Sequence, residues 1–278
     1  MSLRTWLRQR YGQRMDQRPF TLPTAVFHQS ALVFAPHEDD ETLGCGGMIL
    51  HKRAAGADVG VVFMTDGRQS HAHLMPVDEL VAHRRQEALD ACRVLGVAAD
   101  QVSFLGFTDG YLSEAAETAV SPVLDLLRQR QPAEVYIPYV KEPPADHVAT
   151  NQIVLAALQQ YNQPVTVYEY PVWFWYHWPW VGLNLRSQGE RKAIVKNTLT
   201  TRLGWRLFTD FNCSLDISSI LTLKCQALEQ HRTQMSSLMP EKGWLTLHDV
   251  AAGDWLACFF REKEIYRRYS PTPKHTHP

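Results

Sequence analysis

The sequence predicts an α/β protein: a mostly parallel sheet with helices on both faces and a C-terminal elaboration. Three observations carry that expectation. Short apolar runs at 31–34, 59–64, 102–105 and 135–139 read as buried strands. Helical stretches lie between and after them, near 43–55, 78–95, 115–130 and 148–160. Such alternation builds parallel strands joined by crossover helices. After Pro171 the regular alternation stops.

Taken in order, residues 1–30 form a basic N-terminal segment with Arg4, Arg8, Arg10, Arg14 and Arg18. It has no apolar stretch of the kind a secretory signal needs. Trp6, Leu7 and Tyr11 among these arginines suit either a helix against an anionic membrane surface or a solvated or core-docked helix; the second is the default. Residues 31–270 read as one domain, with a further strand at 165–170. A dense aromatic loop follows at 173–180, then a short segment at 211–217 and a helix over 217–235. Residues 255–269 read as a helix or the last edge element, and 271–278 as a frayed tail.

Composition narrows the function. Hydrophobic residues make up 45% and charged residues 21% of 278, ordinary for a globular protein. A net charge of −1 gives no reason to expect nucleic-acid binding. No run is long enough for a transmembrane segment. The five cysteines are scattered and form no C-x-x-C pair, as expected of reduced thiols in a cytoplasmic protein. The sequence is compatible with a homo-oligomer and does not require one.

The chemistry concentrates where the first strand ends. His37-Glu38-Asp39-Asp40-Glu41 follows the run Ala31-Leu32-Val33-Phe34, at the carboxyl end of a strand where open α/β sheets build their sites. Gly44, Gly46 and Gly47 then let the backbone approach a bound group closely. A catalytic zinc takes three protein ligands and leaves one position open. His37 and Asp40, three apart on a turn, supply two; His147, in Pro143-Pro144-Ala145-Asp146-His147 after another strand, is the best third. Asp39 is then free to take a proton from the attacking water. Singly, a His is more often structural and an Asp more often a helix cap. Two strand-end loops each carrying acid and His favour a divalent metal, zinc or another first-row ion.

These residues resemble the H-P-D-D-E signature of the PIG-L/LmbE-like zinc-dependent N-deacetylases, with Glu38 in the Pro place. Thr65-Asp66-Gly67, Arg84-Arg85-Gln86-Glu87, Leu105-Gly106-Phe107-Thr108-Asp109, Asp146-His147 and the set Lys224, Leu228, His231, Gln234 resemble later family features in order. The resemblance spans roughly 31–234. It implies a Rossmann-like fold holding Zn2+ through His37, Asp40 and His147, with Asp39 as general base and Asp146 in the catalytic machinery. The implied reaction removes the acetyl group from an N-acetylglucosamine unit joined to inositol, a phospholipid or a second sugar, so the implied partner is a small sugar conjugate.

One departure matters. Pro144 stands where the family motif has its first His, a residue serving as acid or oxyanion stabiliser. Another group must then protonate the departing amine; His231 is a candidate general acid, with Lys141, Tyr139 and His177 as alternatives. Arg84 lies on the apolar stripe Val81, Ala88, Cys92, Leu95, and either pairs with Glu87 or reaches the site to bind substrate. Asp109 is read through the resemblance as a sugar-hydroxyl acceptor. The aromatic loop suits sugar rings or a packed lid. Two other functions stay open: an amidase on a different small amide conjugate, such as a thiol–sugar conjugate, and a sugar-binding relative with little turnover.

Overall fold

The structure is a computed structural model that describes residues 1–17, 22–183 and 187–271. The tail expected at 271–278 lies outside the described residues, apart from Pro271. Among the described residues the sheet has seven strands: β1 (Ala31–Ala35), β2 (Val59–Thr65), β3 (Val102–Phe107), β4 (Glu134–Pro138), β5 (Thr166–Tyr170), β6 (Cys213–Asp216) and β7 (Lys263–Tyr269). Their order is β3-β2-β1-β4-β5-β7-β6. The first five run parallel; β7 pairs antiparallel with both β5 and β6.

Alternation along each strand creates two cores. Val33 of β1 and Val61 of β2 face one side, under α2 (Asp40–Ala54), α3 (Val77–Val94) and α8 (Leu221–Leu228). Leu32, Phe34 and Val62 face the other, under α4 (Ala116–Arg130) and α5 (Ala145–Tyr161). Because both faces are covered, β1, β2 and β4 are buried along their whole length. β1 lies between β2 and β4, so the connections after β1 and β4 leave the sheet on opposite faces. This is the topological switch point where such sheets open a crevice.

The C-terminal elaboration differs from expectation in two places. The last segment is a strand, but β7 is interior; the edge is β6, read from sequence only as a short segment. The helix expected over 217–235 is two, α8 and α9 (Arg232–Met235), broken at His231, whose φ −74° and ψ 65° end the helical path. The break lets His231 meet Glu41 and lets Thr233 donate its backbone N–H to Glu87. Helix α1 (Leu3–Asp16) docks onto the same elaboration: Arg4 pairs with Asp254 at 2.6 Å and donates to the carbonyls of Pro179 and Trp180. Two more helices, α6 (Gln188–Thr200) and α7 (Arg206–Thr209), lead into β6.

Candidate metal and active site

At the switch point the β1 loop, the β3 loop and the start of α5 meet. His37 Nδ1 lies 3.3 Å from Asp40 Oδ2, and His147 Nε2 lies 3.3 Å from the same oxygen. Asp40 sits in the first turn of α2 and lines the crevice, and His147, in the first turn of α5, is fully buried beside it. On the far side of the ring, His37 Nε2 lies 3.2 Å from Asp109 Oδ1 and 3.4 Å from Asp146 Oδ2. Asp146 is fixed by the backbone N–H groups of Gly110 (2.7 Å) and Leu112 (3.2 Å). It ties α5 to the β3 loop and backs His37; it does not line the cavity.

The donor set fits a divalent ion. One ligand atom from each of His37, Asp40 and His147 falls within 4.8 Å of the others. Ligands about 2.0–2.1 Å from a tetrahedral zinc stand about 3.3–3.4 Å apart, matching the two 3.3 Å spacings. Both ring nitrogens of His147 are buried with no hydrogen-bond partner. Burial also lowers its pKa, to about 4, keeping the imidazole neutral as a ligand must be. Burial works against a charged His37 as well, yet Asp109, Asp146 and Asp40 together raise its pKa well above the usual value, so these carboxylates favour positive charge here. A second trio, His37, Asp109 and Asp146, shares the same imidazole.

Asp39 stands beside this set on an unusual backbone, φ 149° and ψ −26°. Its N–H donates to Glu41 Oε2 (3.0 Å), and Glu41 Oε1 in turn meets His231 Nε2 (2.8 Å). Burial, reinforced by the Asp40 charge and opposed by Arg84, raises the Asp39 carboxyl to about 7. Arg84 is buried on α3; it donates to the carbonyls of Glu38 (2.7 Å) and Gly67 (3.1 Å) and lies 3.3 Å from the Glu38 carboxylate. Glu87 is therefore not its partner: Glu87 accepts from Thr233 instead. Asp109 also accepts from the Gln69 backbone, and its pKa falls to about 2 despite burial because His37 and that N–H stabilise the anion.

A cavity of about 300 Å³ opens above these groups. His37, Asp39, Asp40, Arg84 and Asp109 form the charged part of its lining, while Leu43, Pro144, Trp173, Leu247 and Trp255 form an apolar part. Gln69, Ser70 and Gln234 complete it. None of the four groups considered as replacements for the motif His lines it. His231 is buried against Glu41, Tyr139 and Lys141 bind Asp210, and His177 Nδ1 meets the Phe174 carbonyl. The candidate acid His231 thus supports the Asp39 loop from beneath.

Sequence reasoning did not find Trp255 or Leu247, which reach the site from far along the chain, nor Glu142. The buried Glu142 accepts from the backbone N–H groups of Val172, Trp173 and Phe174, fixing Trp173 at the rim. An acid just before the Pro143-Pro144 pair was its signal in the sequence. Most of the aromatic loop is core: Phe174, Trp175, Tyr176 and Trp180 are buried.

Fold and site together define a Rossmann-like α/β protein with a His/Asp cluster, spaced as a cation site would be, at the carboxyl ends of its parallel strands. Residues 32–158 match the PIG-L family, described as GlcNAc-PI de-N-acetylase, so the resemblance drawn from the motifs is borne out. The chain is 28% identical over 236 residues to a 1D-myo-inositol 2-acetamido-2-deoxy-alpha-D-glucopyranoside deacetylase of Mycobacterium sp. (strain KMS), covering 72% of each chain. It is 23% identical to a probable N-acetyl-alpha-D-glucosaminyl L-malate deacetylase 2 of Bacillus subtilis (strain 168), covering 87% of this chain and 97% of that one. Its fold resembles N,N'-diacetylchitobiose deacetylase from Pyrococcus horikoshii, with a TM-score of 0.62 at 22% identity, covering 87% and 84% of the two chains. No described helix is long and apolar enough to cross a membrane.

Proposed function

We propose that this protein is a zinc-dependent hydrolase that removes the N-acetyl group from an N-acetylglucosamine-type sugar conjugate. The observation that carries the reading is the His37/Asp40/His147 cluster, spaced for one tetrahedral ion, with the Asp39 carboxylate beside it in a cavity. Zinc held by these three residues would supply a Lewis acid that polarises the amide carbonyl and lowers the pKa of water.

The chain's own groups divide the remaining work. Asp39 takes the proton of the attacking water, whose oxygen adds to the acyl carbon. The C–N bond then breaks, giving acetate and a free amine that must gain a proton. Arg84 pins the Asp39 loop through the Glu38 carbonyl and, with Asp109, faces the cavity where sugar hydroxyls or an anionic substituent would lie. Asp146 holds His37 in orientation. Trp173 and Trp255, stacked at 4.8 Å, offer an aromatic wall to a ring face. The free cysteines support a cytoplasmic site of action.

A second reading, a relative that binds sugar conjugates with little turnover, is favoured by Pro144, which lines the cavity without a proton to give. Elemental analysis and acetate release distinguish the two. The hydrolase reading expects about one zinc per chain, lost in Asp40→Ala, and acetate release from N-acetylglucosaminyl conjugates that Asp39→Asn abolishes while keeping the metal. Wild type that loads zinc and releases no acetate would support the binder; wild type without metal would sink the hydrolase reading and leave a binding protein.

A further inference from the structure

Large apolar side chains stand exposed on two adjoining segments. Leu3, Trp6, Val195, Leu199, Leu203 and Trp205 are 42–70% exposed. They belong to two segments, α1 and the stretch from α6 to the start of α7, which touch: Tyr11 Oη donates to the Leu203 carbonyl at 3.0 Å, and the Arg14 guanidinium lies 5.0 Å from the Trp205 ring centre. On α6 the inward positions are Ile194 and Thr198; Lys192, Val195, Lys196 and Leu199 point to solvent. A face serving only solvent would put polar groups at the last turn, not Val195 and Leu199 one turn apart.

The same face is strongly cationic. Residues 3–16 and 188–206 hold nine Arg and Lys against two acids, Asp16 and Glu190, in a chain whose net charge is −1. Arg4, Arg8 and Arg206 are spent on Asp254 and Asp210, and Glu190 is bonded to Ser187. Arg10 lies over the Trp6 ring, Arg14 over Trp205, and Lys192, Lys196 and Arg202 are exposed. Apolar and aromatic groups interleaved with long cationic side chains match a boundary whose outer layer is anionic and whose inner layer is hydrocarbon. A second copy of the chain fits poorly, since a two-fold contact would set these cations against their own copies.

We infer that the outer face of α1 and α6 docks on an anionic lipid bilayer surface. Trp6, Val195, Leu199, Leu203 and Trp205 enter the headgroup boundary, and Arg10, Arg14, Lys192, Lys196 and Arg202 bind lipid phosphates. The inference is independent of the proposed reaction. Vesicle flotation with the full chain tests it, comparing phosphatidylcholine alone with phosphatidylcholine containing about one-third phosphatidylglycerol. The expected result is binding to the anionic vesicles at least about ten-fold stronger than to the neutral ones, weakened by added salt. The double variants Leu199→Asp/Leu203→Asp and Lys192→Glu/Lys196→Glu should each lose that preference while keeping the wild-type melting temperature, since all four side chains are exposed. Absence of binding to anionic vesicles, or binding unchanged in both variants, would overturn the inference. So would a concentration-dependent dimer in sedimentation that Leu199→Asp/Leu203→Asp disperses, because the face would then be covered by a second copy.

Discussion

Asp39 sits at a backbone angle, φ 149°, that a residue with a side chain rarely adopts. Such a conformation costs on the order of 1–3 kcal/mol and persists only where surrounding contacts over-determine it. Here Glu41 takes the Asp39 N–H, His231 holds Glu41, and Arg84 holds the neighbouring Glu38 carbonyl. The strain turns the Asp39 carboxylate into the cavity while Asp40, the next residue, faces His37 and His147. Two adjacent carboxylates thus face different surroundings, as the sequence reading of Asp40 as a ligand and Asp39 as a base expects. Pro144 is the other decisive residue. Its φ of −71° and ψ of 141° are open to any residue, so Pro144→His should be accepted by the backbone. An imidazole there would return a proton to the departing amine, and general acid help is worth about 10²–10⁴-fold. Pro144→His should therefore raise kcat for acetate release by at least about ten-fold with zinc content unchanged; an unchanged kcat would mean that the proton already has an efficient route.

At the scale of elements, the glycines of α2 serve packing. The sequence suggested that Gly44, Gly46 and Gly47 admit a bound group; instead each faces a neighbouring element. A Cβ on Gly44 would overlap the Tyr170 ring of β5, and one on Gly47 would overlap Ile217 and crowd the Glu264 carboxylate. That carboxylate accepts the N–H groups of Gly47 and Met48 and pairs with Lys224 at 2.8 Å, so α2, α8 and β7 close on one buried ion pair. Since α2 begins at Asp40, its seat on the sheet sets the position of that carboxylate. Gly47→Ala should cost about 1–3 kcal/mol in urea unfolding through overpacking and weaken zinc retention on dialysis. Stability and zinc retention both equal to wild type would show that the packing is looser than the contacts imply. The strands and crossover helices were legible because burial on both faces leaves an apolar run of characteristic length. The break between α8 and α9 was not, because long-range partners, Glu41 and Glu87, cause it.

Over the whole molecule, the C-terminal elaboration closes the site that the parallel sheet opens. Leu247 and Trp255 finish the cavity wall, and Asp210 clamps the elaboration to the loop before α5 by accepting from Tyr139 and from Lys141 at 2.8 Å. Burial alone would raise the Asp210 pKa, but Lys141, Tyr139 and Thr209 more than offset it and hold the carboxyl well below the usual range. The sign follows: stability from this group is complete above the unfolded carboxylate pKa of about 3.9 and is lost as pH falls through the lower folded value. Asp210→Asn should cost about 1–2 kcal/mol near pH 7, a figure kept low because the group is partly solvated, with the gap from wild type narrowing below pH ~4. Denaturant titrations of both proteins across that range check it; a gap independent of pH would assign the clamp to packing instead.

The motif His37-Glu38-Asp39-Asp40 with Asp146-His147 was readable because metal ligands and a base must come from few residue types, and strand-end loops put them at short spacings. The parallel sheet was readable for a similar local reason, the length and apolarity of each run. Only the tertiary structure decided that Asp146 backs His37 without lining the cavity, that His231 is buried against Glu41 outside the cavity lining, and that Arg84 pairs with the Glu38 segment rather than Glu87. It also decided that Trp255 and Leu247 form the wall. Those outcomes depend on which distant surfaces are buried together, and burial between residues 41 and 231 or 37 and 255 leaves no periodic trace in a single chain.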